Sequence, residues 1–73
     1  MRAFKENDCI SLTKEISGEI IGEQQSVILP IGTTATIVLV HGNPNQPMAY
    51  EIEAYISAQD CYVLATLEAA DAS

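Results

Sequence analysis

Apolar and polar residues alternate along much of the chain, and this period of two predicts β-strands rather than helices. The first such stretch, residues 8–16, has apolar side chains at Ile10, Leu12 and Ile16, with polar residues between them. The alternation predicts one half-buried strand over these residues. Cys9 is the one apolar residue that we expect on its outer side.

The most apolar stretch, residues 33–41, predicts a strand at the centre of the sheet. Alternation gives it two faces, which are Ala35, Ile37 and Leu39 on one side and Thr36, Val38 and Val40 on the other. Both sets are largely apolar and β-branched. We therefore expect both faces of this strand to be buried.

Two more strands are predicted at residues 49–56 and 61–67. In residues 49–56 the inward positions are Tyr50, Ile52, Ala54 and Ile56, and the outward positions are Glu51, Glu53 and Tyr55. Residues 57–60 predict a hairpin turn between the two strands, although they lack the glycine of the tightest turns.

Turn-forming residues separate these strands. Residues 17–26 (SGEIIGEQQS) hold two glycines around an apolar pair and predict a long loop, whose isoleucines pack back onto the core or onto a neighbour. The Pro-x-Gly spacing of residues 30–32 predicts a turn, and the prolines of residues 42–47 predict a loop. Residues 68–73 form a tail that is expected to hold one short helical turn.

These elements predict a single all-β domain over residues 1–73, with four or five strands. The chain shows no helical periodicity, no internal repeat and no sign of a second domain. Closely spaced strands in so short a chain are typical of a strongly bent sheet or a partly closed barrel.

Four segments carry motifs in a characteristic order. Residues 8–13 (DCISLT) match an opening Asp-Val-Val-x-Leu-Thr strand, and residues 29–40 (LPIGTTATIVLV) match a Leu-Pro-x-Gly-Thr-x-Gly-Thr-Val-Val element. Residues 49–54 (AYEIEA) match Ala-Tyr-Glu-Val-Glu-Phe, and residues 66–67 match a closing Thr-Leu pair. The chain thus resembles a family of small bacterial proteins of uncharacterised function, similar to the barrel domain of the nitrile hydratase β-subunit. The resemblance implies a small SH3-like barrel of four to five strongly bent antiparallel strands, and it implies no activity.

The charge distribution argues against two classes of partner. The chain has 73 residues, with ten Asp or Glu and three Lys or Arg, for a formal net charge of −7. The three cations are Arg2, Lys5 and Lys14, and from residue 15 onward every Asp, Glu, Lys or Arg is an acid. Nucleic acids and anionic membrane surfaces attract clustered basic residues, so we expect neither as a partner. A basic protein partner fits this charge.

The sequence pattern shows no targeting segment. The first eight residues lack the apolar core of a signal peptide, and the apolar run at residues 35–40 is too short to span a bilayer. We therefore expect a cytoplasmic protein. In that compartment Cys9 and Cys61 are expected to be reduced thiols, buried as small hydrophobic residues. A disulfide that joins the two ends of the chain is the less favoured alternative.

Few residues suggest catalysis or metal binding. Glu51 and Glu53 project from one face of a predicted strand, where a carboxylate pair can bind a cation or act as acid and base. A solvated strand face is the simpler interpretation. His41 has no nucleophile motif beside it, and two distant cysteines with one histidine lack metal-ligand spacing. We expect no enzyme activity, no metal and no cofactor.

The apolar outer positions suggest assembly. The predicted central and last strands are apolar on both faces, whereas a small barrel needs only one buried face for each strand. The second face is covered either by another copy or protein, or by Ile20, Ile21 or residues 27–29 of the same chain. We favour self-association, because so short a chain has little core of its own.

The expected function is that of a small acidic protein–protein interaction module. It would form a homo-oligomer and act as an accessory subunit, or as an antitoxin-like or immunity-like inhibitor. The expected interface residues are apolar or aromatic: Val38, Val40, Tyr50, Tyr55, Tyr62 and Leu64. The acidic rim would select a basic partner protein.

A small-molecule binding module is the alternative function. An oligomer of small barrels can enclose an apolar cleft at its interface, and acidic residues there favour a cationic amphiphile. The candidate cleft residues are Glu51, Glu53 and Tyr55, together with the loop at residues 42–47.

Overall fold

The computed structural model describes residues 3–72, and most of these residues form β-strands. The strands are β1 (Cys9–Ser11), β2 (Ile16–Ile20), β3 (Ser26–Leu29), β4 (Thr34–Asn43), β5 (Gln46–Ile56) and β6 (Cys61–Glu68). The predicted all-β class is confirmed, and the described chain has six strands rather than four or five.

The six strands form one antiparallel sheet in the order β1-β4-β5-β6-β2-β3. The sheet curls on itself into a half-barrel. The long strands β4, β5 and β6 are sequential neighbours at its centre, whereas β1 and β3 form its two edges. This order brings the N-terminal β2–β3 hairpin against the last strand of the chain.

The core lies on the inner face of the curled sheet, and every strand contributes to it. The buried apolar residues are Ile10, Leu12, Ile20, Leu29, Ala35, Ile37, Tyr50, Ile52, Ala54, Val63, Ala65 and Leu67. Within residues 3–72 no polar or charged residue belongs to the buried set. Removal of this apolar surface from water is therefore the main source of stability. The alternation predicted for residues 49–56 is confirmed: Tyr50, Ile52 and Ala54 are buried, and the fourth inward residue, Ile56, packs partly buried against the core.

The N-terminal third of the chain differs from the prediction. The single strand predicted over residues 8–16 is wrong, because β1 ends at Ser11 and a separate strand, β2, begins at Ile16. The predicted outward position of Cys9 is confirmed, so this thiol is exposed rather than buried.

The long loop predicted over residues 17–26 is also wrong. Half of this segment is strand, because residues 17–20 belong to β2 and Ser26 begins β3, and the chain reverses between Ile20 and Ser26. Ile20 does pack into the core, but Ile21 remains 48% exposed in the turn. A glycine in β2 interrupted the apolar alternation and made the strand resemble a loop in the sequence.

A β-bulge in β4 changes which residues of this strand face the core. The pairing with β5 is irregular between Ile37 and Leu39, so Val38 is an extra residue in the ladder. The extra residue reverses the alternation. Val40 therefore packs against the core together with Ala35 and Ile37, so the predicted grouping of Leu39 with those two residues is wrong. The expected burial of both faces is wrong as well, because Val38 and Leu39 are each at least 40% exposed.

The remaining turns lie where the sequence predicts them. The loop at residues 42–47 is shorter than expected, because Asn43 and Gln46 already pair across a turn at residues 44–45. The hairpin turn at residues 57–60 is confirmed between β5 and β6.

The turn at residues 30–32 and the C-terminal helical turn are also present. The N–H of Thr33 donates to the carbonyl of Pro30 at 3.1 Å, and Gly32 has a φ of 91°, which glycine adopts without strain. The tail forms a 3₁₀ turn at Ala69–Asp71. The last residue of the predicted tail, Ser73, and the cation Arg2 lie outside the described residues.

Gly18 allows β2 to approach β6 closely. A Cβ atom at this position would lie 2.5 Å from Cγ1 of Val63 and 2.9 Å from the carbonyl oxygen of Leu64. Direct pairing of β2 with β6 is limited to Glu19 with Leu64 and Ile20 with Val63. The absence of a side chain at Gly18 thus permits the short contact that joins the β2–β3 hairpin to the rest of the sheet.

We predict that Gly18→Ala lowers the free energy of unfolding by about 1–3 kcal/mol, because the added methyl group overpacks the contact with β6. Urea unfolding followed by circular dichroism measures the change. Ser17→Ala, at an exposed neighbouring position, is the control and should leave stability nearly unchanged. Equal stability of Gly18→Ala and the native chain would show that the close approach is not required.

Candidate functional site

Most of the predicted site residues lie on the outer face of the sheet, which is the face turned away from the core. Outer-face residues alternate with core residues along each strand. One cross-strand row extends over all six strands through Cys9, Thr36, Glu53, Leu64, Glu19 and Ser26. A neighbouring row joins Leu39, Glu51 and Thr66. Side chains directly opposite each other in such rows are in contact range.

The outer face is acidic. None of the six strands contains Lys or Arg. The acidic residues of the strands are Glu19, Glu51, Glu53 and Glu68. In the long row Leu64 lies between Glu53 and Glu19, and 40% of its surface is exposed. The result is an apolar side chain with a carboxylate on each side.

A pair of tyrosines extends this surface toward the β5–β6 turn. Tyr55 and Tyr62 are cross-strand neighbours with ring centroids 5.1 Å apart, and about half of each side chain is exposed. The Tyr55 hydroxyl donates a hydrogen bond of 2.6 Å to Oδ1 of Asp60. This hydrogen bond raises the pKa of Tyr55 above its ordinary value, because donation to the carboxylate stabilises the protonated hydroxyl. The pair is therefore a fixed aromatic surface beside a carboxylate.

Glu51 is held by two neighbouring strands. Its Oε2 accepts a hydrogen bond of 2.9 Å from the hydroxyl of Thr66 on β6, and it lies 2.9 Å from Nε2 of His41 on β4. Glu53 lies in the adjacent row, beside Leu64. Both glutamates lie on the outer face, as the alternation predicts, and they occupy different cross-strand rows. No group of three or more His, Cys, Asp or Glu within residues 3–72 is arranged to hold a metal ion.

An open groove of about 580 Å³ lies where β2 diverges from β6. Its acidic residues are Glu19, Glu23 and Glu51, and its exposed apolar residues are Ile21 and Leu64. Of the predicted cleft residues only Glu51 lines this groove. Glu53, Tyr55 and the loop at residues 42–47 do not line it, and the cleft expected at an oligomer interface stays a prediction.

Two predicted interface residues face the core. Tyr50 is 1% exposed, and its ring packs edge-to-face against Phe4 with centroids 5.9 Å apart. Its hydroxyl accepts a hydrogen bond of 3.1 Å from the N–H of Phe4. Tyr50 thus has the inward position that the alternation predicts, and its assignment to the interface is wrong. Val40 also turns toward the core, whereas Val38 is exposed at the bulge in β4.

The predicted residues that do come together are Tyr55, Tyr62 and Leu64. The sequence missed Glu19, which supplies the second carboxylate beside Leu64, and Ile21, whose N–H donates to the carbonyl of Tyr62 at 2.9 Å. Both residues belong to the segment predicted as a loop. The sequence signal for this strand was the alternation of Ile16, Gly18 and Ile20. It is visible only when the glycine is counted as an inward position.

No protein-family model matches the chain, and no curated protein and no solved structure matches it either. The resemblance to the family of SH3-like barrels therefore stays a prediction. Among the described residues no helix is long and apolar enough to cross a membrane.

We predict that Tyr50→Phe lowers the free energy of unfolding by about 1 kcal/mol, because it removes the acceptor of the Phe4 N–H. The exchange of the Phe4 amide hydrogen should become faster at the same time. Tyr62→Phe makes the same chemical change at a half-exposed ring and is the control. If both variants have the native stability, the buried hydroxyl of Tyr50 does not anchor the N-terminal segment.

Proposed function

We propose that this protein is a small acidic protein–protein interaction module whose outer face binds a basic partner protein. One observation supports this most directly: Leu64 lies between Glu53 and Glu19, next to an exposed pair of tyrosines, on strands without Lys or Arg. The surface combines an apolar centre with surrounding carboxylates, which all carry negative charge. That combination is found where proteins bind partners of opposite charge.

Each part of this surface has a distinct effect on binding. Tyrosine supplies a large contact area with little loss of conformational entropy, and its ring face attracts Lys and Arg side chains. Burial of Leu64 contributes the hydrophobic term. The glutamates steer a basic partner toward the surface and disfavour acidic proteins.

The same charges disfavour binding of two copies through their outer faces. Face-to-face contact would bring Glu19 and Glu53 of one copy near acidic residues of the other, and like charges repel at such contacts. Self-association, which remains part of the proposal, therefore needs another surface. In the proposed role the protein acts as an accessory subunit, or as an antitoxin-like or immunity-like inhibitor, in the cytoplasm and without catalysis of its own. Cys9 and Cys61 form no disulfide, which agrees with the reducing conditions of the cytoplasm.

We predict that Glu19→Gln/Glu53→Gln weakens binding of the basic partner by roughly tenfold, because two exposed ion pairs of up to about 1 kcal/mol each are lost. The native chain and the variant are used as baits in an extract of the native cells. The retained proteins are identified by mass spectrometry. Raised ionic strength should also release the partner.

Glu6→Gln/Glu15→Gln is the matched control. It removes the same number of charges from exposed positions outside the strands, so it should retain the partner. If all three baits retain the same proteins in equal amounts, the outer face is not the binding surface. Retention of acidic rather than basic proteins would also contradict the proposal.

The groove between β2 and β6 supports a second candidate function, which is binding of a cationic amphiphile. Three carboxylates, of Glu19, Glu23 and Glu51, surround the space beside Ile21 and Leu64. A quaternary ammonium group suits the carboxylates and an alkyl chain suits the apolar residues.

Thermal unfolding with dodecyltrimethylammonium, below its micelle concentration, tests this candidate. We expect the ligand to raise Tm of the native chain, because it binds the folded state. Glu19→Gln/Glu23→Gln should reduce the rise, and Glu6→Gln/Glu15→Gln should not. A Tm that is unchanged by the ligand, or raised equally in both variants, would exclude the groove as its site.

A further inference from the structure

The outer edge of β3 carries unpaired main-chain groups. The N–H of Ile20 donates to the carbonyl of Gln25 at 3.0 Å at the end of the β2–β3 hairpin. Hydrogen-bonded pairs alternate along an antiparallel ladder, so Val27 and Leu29 are the β3 residues bonded to β2. The N–H and C=O groups of Ser26 and Ile28 therefore point away from β2. Within residues 3–72 no hydrogen bond reaches them.

This edge carries neither a charge nor a bulge, which are two of the features that protect sheet edges. Protected edges carry charges, prolines or bulges, or are very short. The opposite edge, β1, has three residues and directly follows Asp8. β3 has four residues, none of them charged or proline, and it pairs with β2 without a bulge. It lies in residues 24–50, a stretch without Asp, Glu, Lys or Arg in a chain of net charge −7.

Apolar side chains are exposed beside the same edge. Ile28 is 61% exposed and Ile31, in the following turn, is 66% exposed. A groove of about 430 Å³ adjoins β3, and residues 55–59 form much of its other side. All residues that line this groove are uncharged. Main-chain donors, main-chain acceptors and apolar surface thus occur together on a neutral part of an acidic protein.

We propose that two copies of this chain associate through their β3 edges, as antiparallel neighbours around a two-fold axis. In one register Ser26 pairs with Ile28 of the second copy, and Ile28 with Ser26, with the two Val27 residues at the axis. In each pair both residues turn their N–H and C=O groups toward the other copy, so each pair forms two main-chain hydrogen bonds. The two pairs of this register together form four. Pro30 has no N–H to donate, which ends the pairing at this point.

Charge favours a second copy over a basic partner at this surface. β3 itself is uncharged, whereas the outer face carries the glutamates, so a basic protein is attracted more strongly to the outer face than to this edge. The edge is also self-complementary, as a two-fold contact requires. Repulsion between two copies of charge −7 still acts at long range, so salt should strengthen the association. This inference rests on the self-association included in the proposed function, and it assigns that contact to the β3 edge rather than to the surface around Leu64.

Light scattering over a roughly hundredfold dilution series, at low and raised salt, measures the association of the native chain. We expect a dimer that dissociates on dilution and is stabilised by salt. Amide hydrogen exchange at high and low protein concentration gives a second readout. The amides of Ser26 and Ile28 should be protected only in the concentrated sample, and that of Val27 in both.

Two variants test the edge itself. Ser26→Pro removes an outward N–H at the first residue of β3 and leaves the bonds to β2 in place. Ile28→Lys adds a charge at an exposed position of the edge. Each should raise the dissociation constant of the dimer by at least roughly tenfold, because both disrupt the new ladder. Met48→Lys, at a side chain that is 73% exposed on β5, is the control and should remain dimeric.

The possible results separate the proposals. A monomeric native chain at every concentration would overturn both the β3 contact and self-association, and binding of a basic partner would be unaffected. A dimer that persists in both folded edge variants would overturn the β3 assignment alone. A dimer that is lost in Met48→Lys but kept in Ser26→Pro and Ile28→Lys would place the contact on β5 and likewise overturn the assignment.

Discussion

A single sheet has to cover its own apolar face in this protein, because the described residues form no second layer against it. Two local features make the necessary curl possible. The bulge at Val38 bends β4, and Gly18 lets β2 approach β6 without a steric clash. Only two residue pairs join β2 to β6, so this contact attaches the β2–β3 hairpin to the core. A small domain has little apolar area to spare, and the fold depends on these close approaches.

The same constraint defines the surfaces that are available for binding. Because the core occupies the inner face alone, the outer face is free to carry glutamates, tyrosines and Leu64. Because the half-barrel does not close, β3 keeps an edge with unpaired main-chain groups. One surface is acidic and the other is neutral. A basic partner and a second copy would therefore bind at different places, and salt would affect the two contacts in opposite directions.

Prediction from the sequence succeeded where the signal was local. Residues 49–56 alternate without interruption, and the burial of Tyr50, Ile52 and Ala54 follows from that alternation. The turn at residues 57–60 was equally clear. The prediction failed for β2 and β3, because a glycine inside a strand and a glycine in a turn look alike in the sequence. The requirement for Gly18 arises from Val63, which is 45 positions away in the chain.

Local patterns in the chain are enough to predict the all-β class, the acidic character and the alternation that places Tyr55, Tyr62 and Leu64 on the outer face. The position of Glu19 beside Leu64 and the open edge of β3 become visible only in the folded sheet. The same holds for the inward position of Val40. The physical reason is that cross-strand pairing and bulges join residues that are far apart in the chain. Such contacts depend on how strands pack against each other, and they leave no periodic signal within a single strand.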